Sequence, residues 1–150
     1  MAQQLQLITL AVADVERSSR FYSDGLGWTP LFAVDEVVFY QVGHGLMLAL
    51  FRQADFVADV GAEVVTGVGT TGYSLAQILP TKADVDALAE AAVAAGGTLL
   101  KPPQLADFGG YHCYFADPDG HRWEIAVNPG FSVADDGTVS LRPIEPGEVG

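Results

Sequence analysis

The sequence predicts an α+β domain built from paired βαβββ modules, whose strands form a cup-shaped mixed β-sheet with the helices outside. Two observations carry this reading. Short apolar runs with β-branched members are interrupted by two helical patterns, and the order strand, helix, strand, strand, strand occurs twice, over about residues 5–51 and 73–127. The 150-residue length, with 49% hydrophobic and 17% charged residues, fits one domain, 1–150, large enough for a core.

In the first module, Leu5–Val12 is apolar and reads as a strand. Asp14 offers an N-cap to a helix over Val15–Leu26, where Val15, Phe21, Tyr22 and Leu26 recur at near-helical spacing and Gly25 and Gly27 end it. Trp28–Phe32, Val37–Val42 and Leu46–Phe51 read as three short strands, with Gly43-His44-Gly45 as a turn. Arg52–Thr71, punctuated by Gly61, Gly67 and Gly69, reads as loop.

The second module opens with Tyr73–Leu79 as a strand. Thr81 and Asp84 have capping-box spacing before an Ala-rich helix that Gly96-Gly97 stops. Thr98–Lys101, Tyr111–Ala116 and His121–Ala126 follow as strands, the last two joined by the turn Asp117-Pro118-Asp119-Gly120. The tail, 129–150, carries Pro129, Pro143 and Pro146 and is expected to lie extended on the surface.

Composition narrows the function. Nineteen acidic against seven basic residues give a net charge of −12, which repels nucleic acid and anionic membranes as partners. The longest apolar run, Leu46–Phe51, is far too short to cross a bilayer, and the first residues lack the basic and apolar regions of a signal peptide. The lone Cys113 has no internal disulfide partner and reads as a small core residue, which fits a cytoplasmic location. No nucleophile–base pair, phosphate-binding loop or zinc spacing is evident, and Gly67-Val68-Gly69 lacks the strand–helix context of a nucleotide site.

A resemblance adds to this. Val12-Ala13-Asp14-Val15-Glu16-Arg17-Ser18, Phe21-Tyr22 and Gly25-Leu26-Gly27-Trp28 resemble the opening of a vicinal-oxygen-chelate protein. Gly96-Gly97, Lys101-Pro102 and Phe115-Ala116-Asp117-Pro118-Asp119-Gly120-His121-Arg122-Trp123-Glu124 resemble its second half, so the resemblance covers about residues 5–128. That superfamily includes glyoxalase I, extradiol dioxygenases, fosfomycin-resistance transferases and bleomycin-binding proteins. The resemblance implies one divalent metal held by His, Gln or Glu from the first and last strand of each module. Those places fall on Leu7, Ala49, Ser74 (or Tyr73, one residue away) and Glu124. Leu and Ala have no lone pairs and a neutral Ser hydroxyl is a poor ligand, so the inherited metal site reads as dismantled and no cofactor is expected.

Alternation along the strands assigns the faces. Leu46, Leu48 and Leu50 are expected against the first helix, with Met47, Ala49 and Phe51 facing the cup, and Trp123 and Ile125 in the core, with Arg122 and Glu124 facing the cup. Phe39, Gln41, Met47, Phe51, Tyr111 and Arg122 are thus the candidate binding residues around Glu124, with Leu7 in the wall. Without a metal, Glu124 lacks a cation unless Arg122, two residues away, supplies one. Counting across the turn puts His112 on the opposite face, while His44 is expected in solvent and His121 against its turn.

Such a cavity suits a small organic molecule, aromatic and neutral or cationic, bound without a tight metal as bleomycin-binding proteins bind theirs. The alternative is a metal-dependent lyase or dioxygenase with one divalent metal on substitute ligands: Glu124, His112 and Gln77. A third reading is a scaffold with an empty cup. A homodimer is expected.

Overall fold

Residues 5–61 and 72–149 are described by the computed structural model. They divide into two units, one of residues 5–61 together with Pro118–Gly120, the other of residues 72–117 and 121–149.

The first unit contains β1 (Leu7–Val12), α1 (Val15–Arg20) continuing into a π-helical turn at Phe21–Gly25, β2 (Phe32–Val34), β3 (Val37–Gly43), β4 (Leu46–Arg52) and α2 (Gln53–Val60). Its sheet runs β1-β4-β3-β2, with β1 parallel to β4 and the other neighbours antiparallel. Asp14 caps α1 by accepting from the Arg17 amide at 2.9 Å. Leu10, Leu48 and Leu50 are buried with Phe21 and Tyr22, so the leucine face of β4 is the core face. Tyr40 pairs with Leu48 in register and sets its hydroxyl between Ser19 and Ser23, 3.1 and 3.0 Å away, which satisfies its polar end inside an apolar layer.

Two boundaries differ from expectation. Trp28 is not in a strand: its ring joins Tyr22 at 5.1 Å and Tyr40 at 5.7 Å, and this aromatic packing delays β2 to Phe32. The segment after β4 is not wholly loop, because Gln53–Val60 forms α2, closed by Gly61 in the left-handed conformation (φ 73°). Phe56 on α2 meets Phe51 edge-on at 6.4 Å, a tertiary contact that glycine punctuation does not reveal. Gly67-Val68-Gly69 and the rest of 62–71 lie outside the described residues.

The second unit contains β5 (Leu75–Ile78), α3 (Lys82–Ala94), β6 (Thr98–Leu105), β7 (Tyr111–Ala116), β8 (Arg122–Val127), β9 (Phe131–Val133) and β10 (Val139–Leu141). Its main sheet runs β5-β8-β7-β6, with β5 parallel to β8. Thr81 and Asp84 form the reciprocal capping box that their spacing predicts. Val85, Ala89 and Ala92 of α3 are buried, as are Cys113, Phe115, Trp123 and Ile125 of the sheet; alanines let the helix sit close. Phe115 and Trp123 stack at 6.5 Å.

The tail is not simply extended. β9 and β10 pair as an antiparallel hairpin, and the Arg142 amide bonds the Gly130 carbonyl at 2.9 Å. A Cβ on Gly130 would stand 2.1 Å from the Arg142 carbonyl oxygen, so only glycine allows this approach. The Arg142 guanidinium holds both Glu148 oxygens, at 2.7 and 3.0 Å.

Candidate functional site

Strand register decides which side chains meet on the second sheet. Tyr114 pairs with Glu124, His112 with Ala126 and Ala116 with Arg122, so His112, Tyr114, Arg122 and Glu124 share one face, with Ala76 and Ile78 of β5 beside them. The opposite face carries Cys113, Phe115, Trp123 and Ile125 toward α3.

His112 is therefore on the Glu124 face. The residues paired across the turn have an even sum (Ala116 with Arg122), so even-numbered residues of both strands lie together. Its Nδ1 lies 2.8 Å from Glu124 Oε1 and its Nε2 2.9 Å from Lys101 Nζ. A lysine ammonium has protons to give and no lone pair, so Nε2 accepts from it and Nδ1 carries the proton donated to Glu124. The ring is buried, with Phe108 and Tyr114 edge-on at 5.5 Å each. The Tyr114 hydroxyl also bonds Glu124; burial first, then that bond, push its pKa above the ordinary 10.

Lys101 reaches this face because β6 is irregular. Leu99 pairs with Phe115 on the helix side, yet Lys101 pairs with Tyr114, so two β6 residues oppose one of β7 and Leu100 is the extra one. An unbroken ladder would have given Lys101 to Cys113 on the other face. A second shift lies between Lys101 and Gln104, across Pro102-Pro103, which an edge strand tolerates. The Lys-Pro-Pro sequence was the available signal for a bulge.

Beside Glu124 the second unit carries an open cavity of about 600 Å³. Ile78, Phe108, Ala126, Leu141, Pro143 and Ile144 give it an apolar wall, with Glu124, Asn128 and Arg142 as polar members. The tail thus forms one side of the site, which its expected place on the surface did not anticipate.

The other nominated residues fall as follows. Tyr111 is displaced: it pairs with Val127 on the α3 side, its hydroxyl donates to Asp86 at 2.8 Å and Lys82 lies over its ring. Gln77 pairs with Ile125 and so faces away from Glu124, which removes it as a partner of His112. In the first unit, Leu7, Met47 and Gln41 line up across three strands, with Phe39 beside Ala49 and Phe51 beside Val37. Met47, Phe39 and Phe51 are half-buried and Gln41 is exposed. Ser74 and Tyr73 precede β5; the Tyr73 hydroxyl is 3.2 Å from His121 Nδ1, and His44 is exposed in its turn. Asp119 accepts from the Ala13 amide, Arg17 and Ser18, which ties the Asp-Pro-Asp-Gly turn into the first unit as structure rather than chemistry. Cys113 is buried, and burial pushes its thiol pKa to about 11.

The family model described as Glyoxalase/Bleomycin resistance protein/Dioxygenase superfamily matches residues 4–125. The chain belongs to this superfamily. Among superfamily structures, a glyoxalase-related enzyme from Fulvimarina pelagi is 42% identical, with a TM-score of 0.84 over 93% of this chain and 99% of that one. The hypothetical protein SA1046 from S. aureus is 25% identical (TM-score 0.74, covering 85% of this chain and 95% of that one). Lactoylglutathione lyase from Agrobacterium tumefaciens shares the fold at 21% identity (TM-score 0.62, covering 85% and 95%). No curated protein matches the chain. The superfamily match ends at residue 125, so the cavity wall from Asn128 to Ile144 lies beyond it.

The superfamily's divalent metal does not fit the residues in its inherited places. Leu7 and Ala49 offer no donor atoms, and Glu124 is bonded to His112, whose remaining nitrogen faces the Lys101 ammonium. Among the described residues no three His, Cys, Asp or Glu side chains converge.

Proposed function

We propose that this superfamily member binds a small organic molecule in the cavity beside Glu124 and holds no tight divalent metal there. The carrying observation is the Lys101–His112–Glu124 chain, which supplies a cation from the protein itself where the resemblance implies an ion. The apolar wall of Phe108, Leu141 and Ile144 favours an aromatic ligand, and the net charge of −12 favours a neutral or cationic one. Reversible sequestration, as in bleomycin-binding proteins, requires nothing more than this.

The neutral aromatic dye N-phenyl-1-naphthylamine tests the reading. Its fluorescence should rise on binding, and Ile144→Asp should weaken that binding at least about tenfold, because one buried Ile side chain contributes roughly 1.5–3 kcal/mol. No saturable binding, or binding indifferent to Ile144, would count against the cavity.

A second reading, a metal-dependent lyase or dioxygenase on substitute ligands, draws support from Glu124 and His112 sharing a face and from the relative described as a glyoxalase-related enzyme. Elemental analysis decides between the two: about one tightly held Ni, Zn, Fe or Mn per chain selects the second.

A further inference from the structure

We propose that Lys101, His112 and Glu124 form a nucleophile–base–orienter triad that captures an aldehyde or ketone as an imine on the Lys101 amine. The geometry meets the requirement for an activated nucleophile: the amine lies 2.9 Å from an imidazole nitrogen that accepts from it, and a carboxylate 2.8 Å from the other nitrogen fixes the tautomer. The imidazole is buried and held by two aromatic edges, whereas Lys101 itself is exposed and open to a ligand. The bulge at Leu100 turns the amine to this face, and bulges commonly re-aim a side chain beside an active site.

The chemistry balances. An ammonium proton passes to His112 Nε2, leaving a neutral amine and an imidazolium facing the Glu124 carboxylate. The nitrogen lone pair attacks the carbonyl carbon; a C–N bond forms, the C=O π pair moves to oxygen, and oxygen takes the proton back from Nε2. His112 then carries one more proton from nitrogen to the hydroxyl, which leaves as water. Ammonium plus carbonyl becomes protonated imine plus water, with no oxidant or reductant consumed. Covalent capture of this kind would hold a carbonyl ligand reversibly. The inference rests on the reading of this face as an organic-molecule site, but its readout is a modified residue, so it stands or falls apart from dye binding.

The chain has only two lysines, Lys82 and Lys101, and Lys82 over the Tyr111 ring serves as an internal reference. The full chain is treated with benzaldehyde and cyanoborohydride, and peptide mass spectrometry compares benzylation at the two sites. Positioned base catalysis contributes 10²–10⁴-fold, so Lys101 should label at least about tenfold faster than Lys82. His112→Phe and Glu124→Gln, each checked for fold by circular dichroism, should bring that ratio down. Lys101 labelling within twofold of Lys82, or a ratio that survives His112→Phe, overturns the triad. Should the variants fail to fold, ¹⁵N NMR of the unmodified protein still decides: the Nδ1–H tautomer of His112 is required, and the Nε2–H tautomer refutes the proposal.

Discussion

Replacing Glu124 by Gln distinguishes a burden from a bond. If the carboxylate lacked a cation, the change would be neutral or stabilising, as expected when Arg122, the nearest candidate partner in sequence, points into solvent. In the structure Glu124 accepts from His112 at 2.8 Å and from Tyr114, so Glu124→Gln should cost about 1–2 kcal/mol, the lower part of the range for bonds to charged groups because the side chain is 23% exposed. Urea unfolding reads the difference, and a stabilised variant would refute the pairing. Cys113 gives a second check. With its thiol pKa near 11, native protein should resist a thiol reagent at pH 8 and label fully once unfolded. Glu124 was legible from the Asp-Pro-Asp-Gly motif and the family's ligand places. His112 was not, because face assignment across a turn depends on which residues close it, and Lys101 was hidden by a bulge that strict alternation cannot foresee.

At the scale of elements, capping and turn chemistry were readable while tertiary packing was not. The Thr81–Asp84 box formed as its spacing predicts, and Thr81→Ala should cost about 1 kcal/mol of stability, measured by thermal or urea unfolding. Trp28 and α2 were missed because an aromatic cluster and a contact with Phe51 decide them. The hairpin tail was equally hidden: its fold depends on Gly130 meeting Arg142 and on Arg142 meeting Glu148, contacts between residues of low local propensity. The Glu148 pKa falls from 4.5 to about 2, chiefly through the bond from Arg142 and then that from the Glu145 amide. A carboxylate lowered on folding stabilises above its unfolded pKa and stops doing so as pH falls through the folded one. The tail latch should therefore be intact above pH 4.5 and released as pH drops toward 2. Amide exchange protection at Arg142 and Glu145 should follow that window; loss of protection already at pH 6 would contradict it.

For the molecule as a whole, the two-module order and the superfamily were legible because repeated punctuation and a turn motif survive in one sequence. Among the described residues β2 and β6 each end a sheet, and Phe32, Val34, Leu99 and Leu105 on these strands expose apolar side chains. We propose a homodimer as the way such edges are covered, so light scattering at micromolar concentration should give twice the chain mass. A monomer would leave these strands as an aggregation hazard that the charge of −12 must counter.

The extra residue at Leu100 has a wider consequence. Keeping Leu100 but closing the bulge into an even ladder would leave every side chain in the chain and hand Lys101 to Cys113, rotating its amine by half a turn toward α3. The bulge thus acts as a rotary selector between an amine beside His112 and an amine lost against a helix. Two chains could then carry the same lysine, histidine and glutamate and differ entirely in chemistry, and only the strand register between Leu99 and Lys101 would tell them apart.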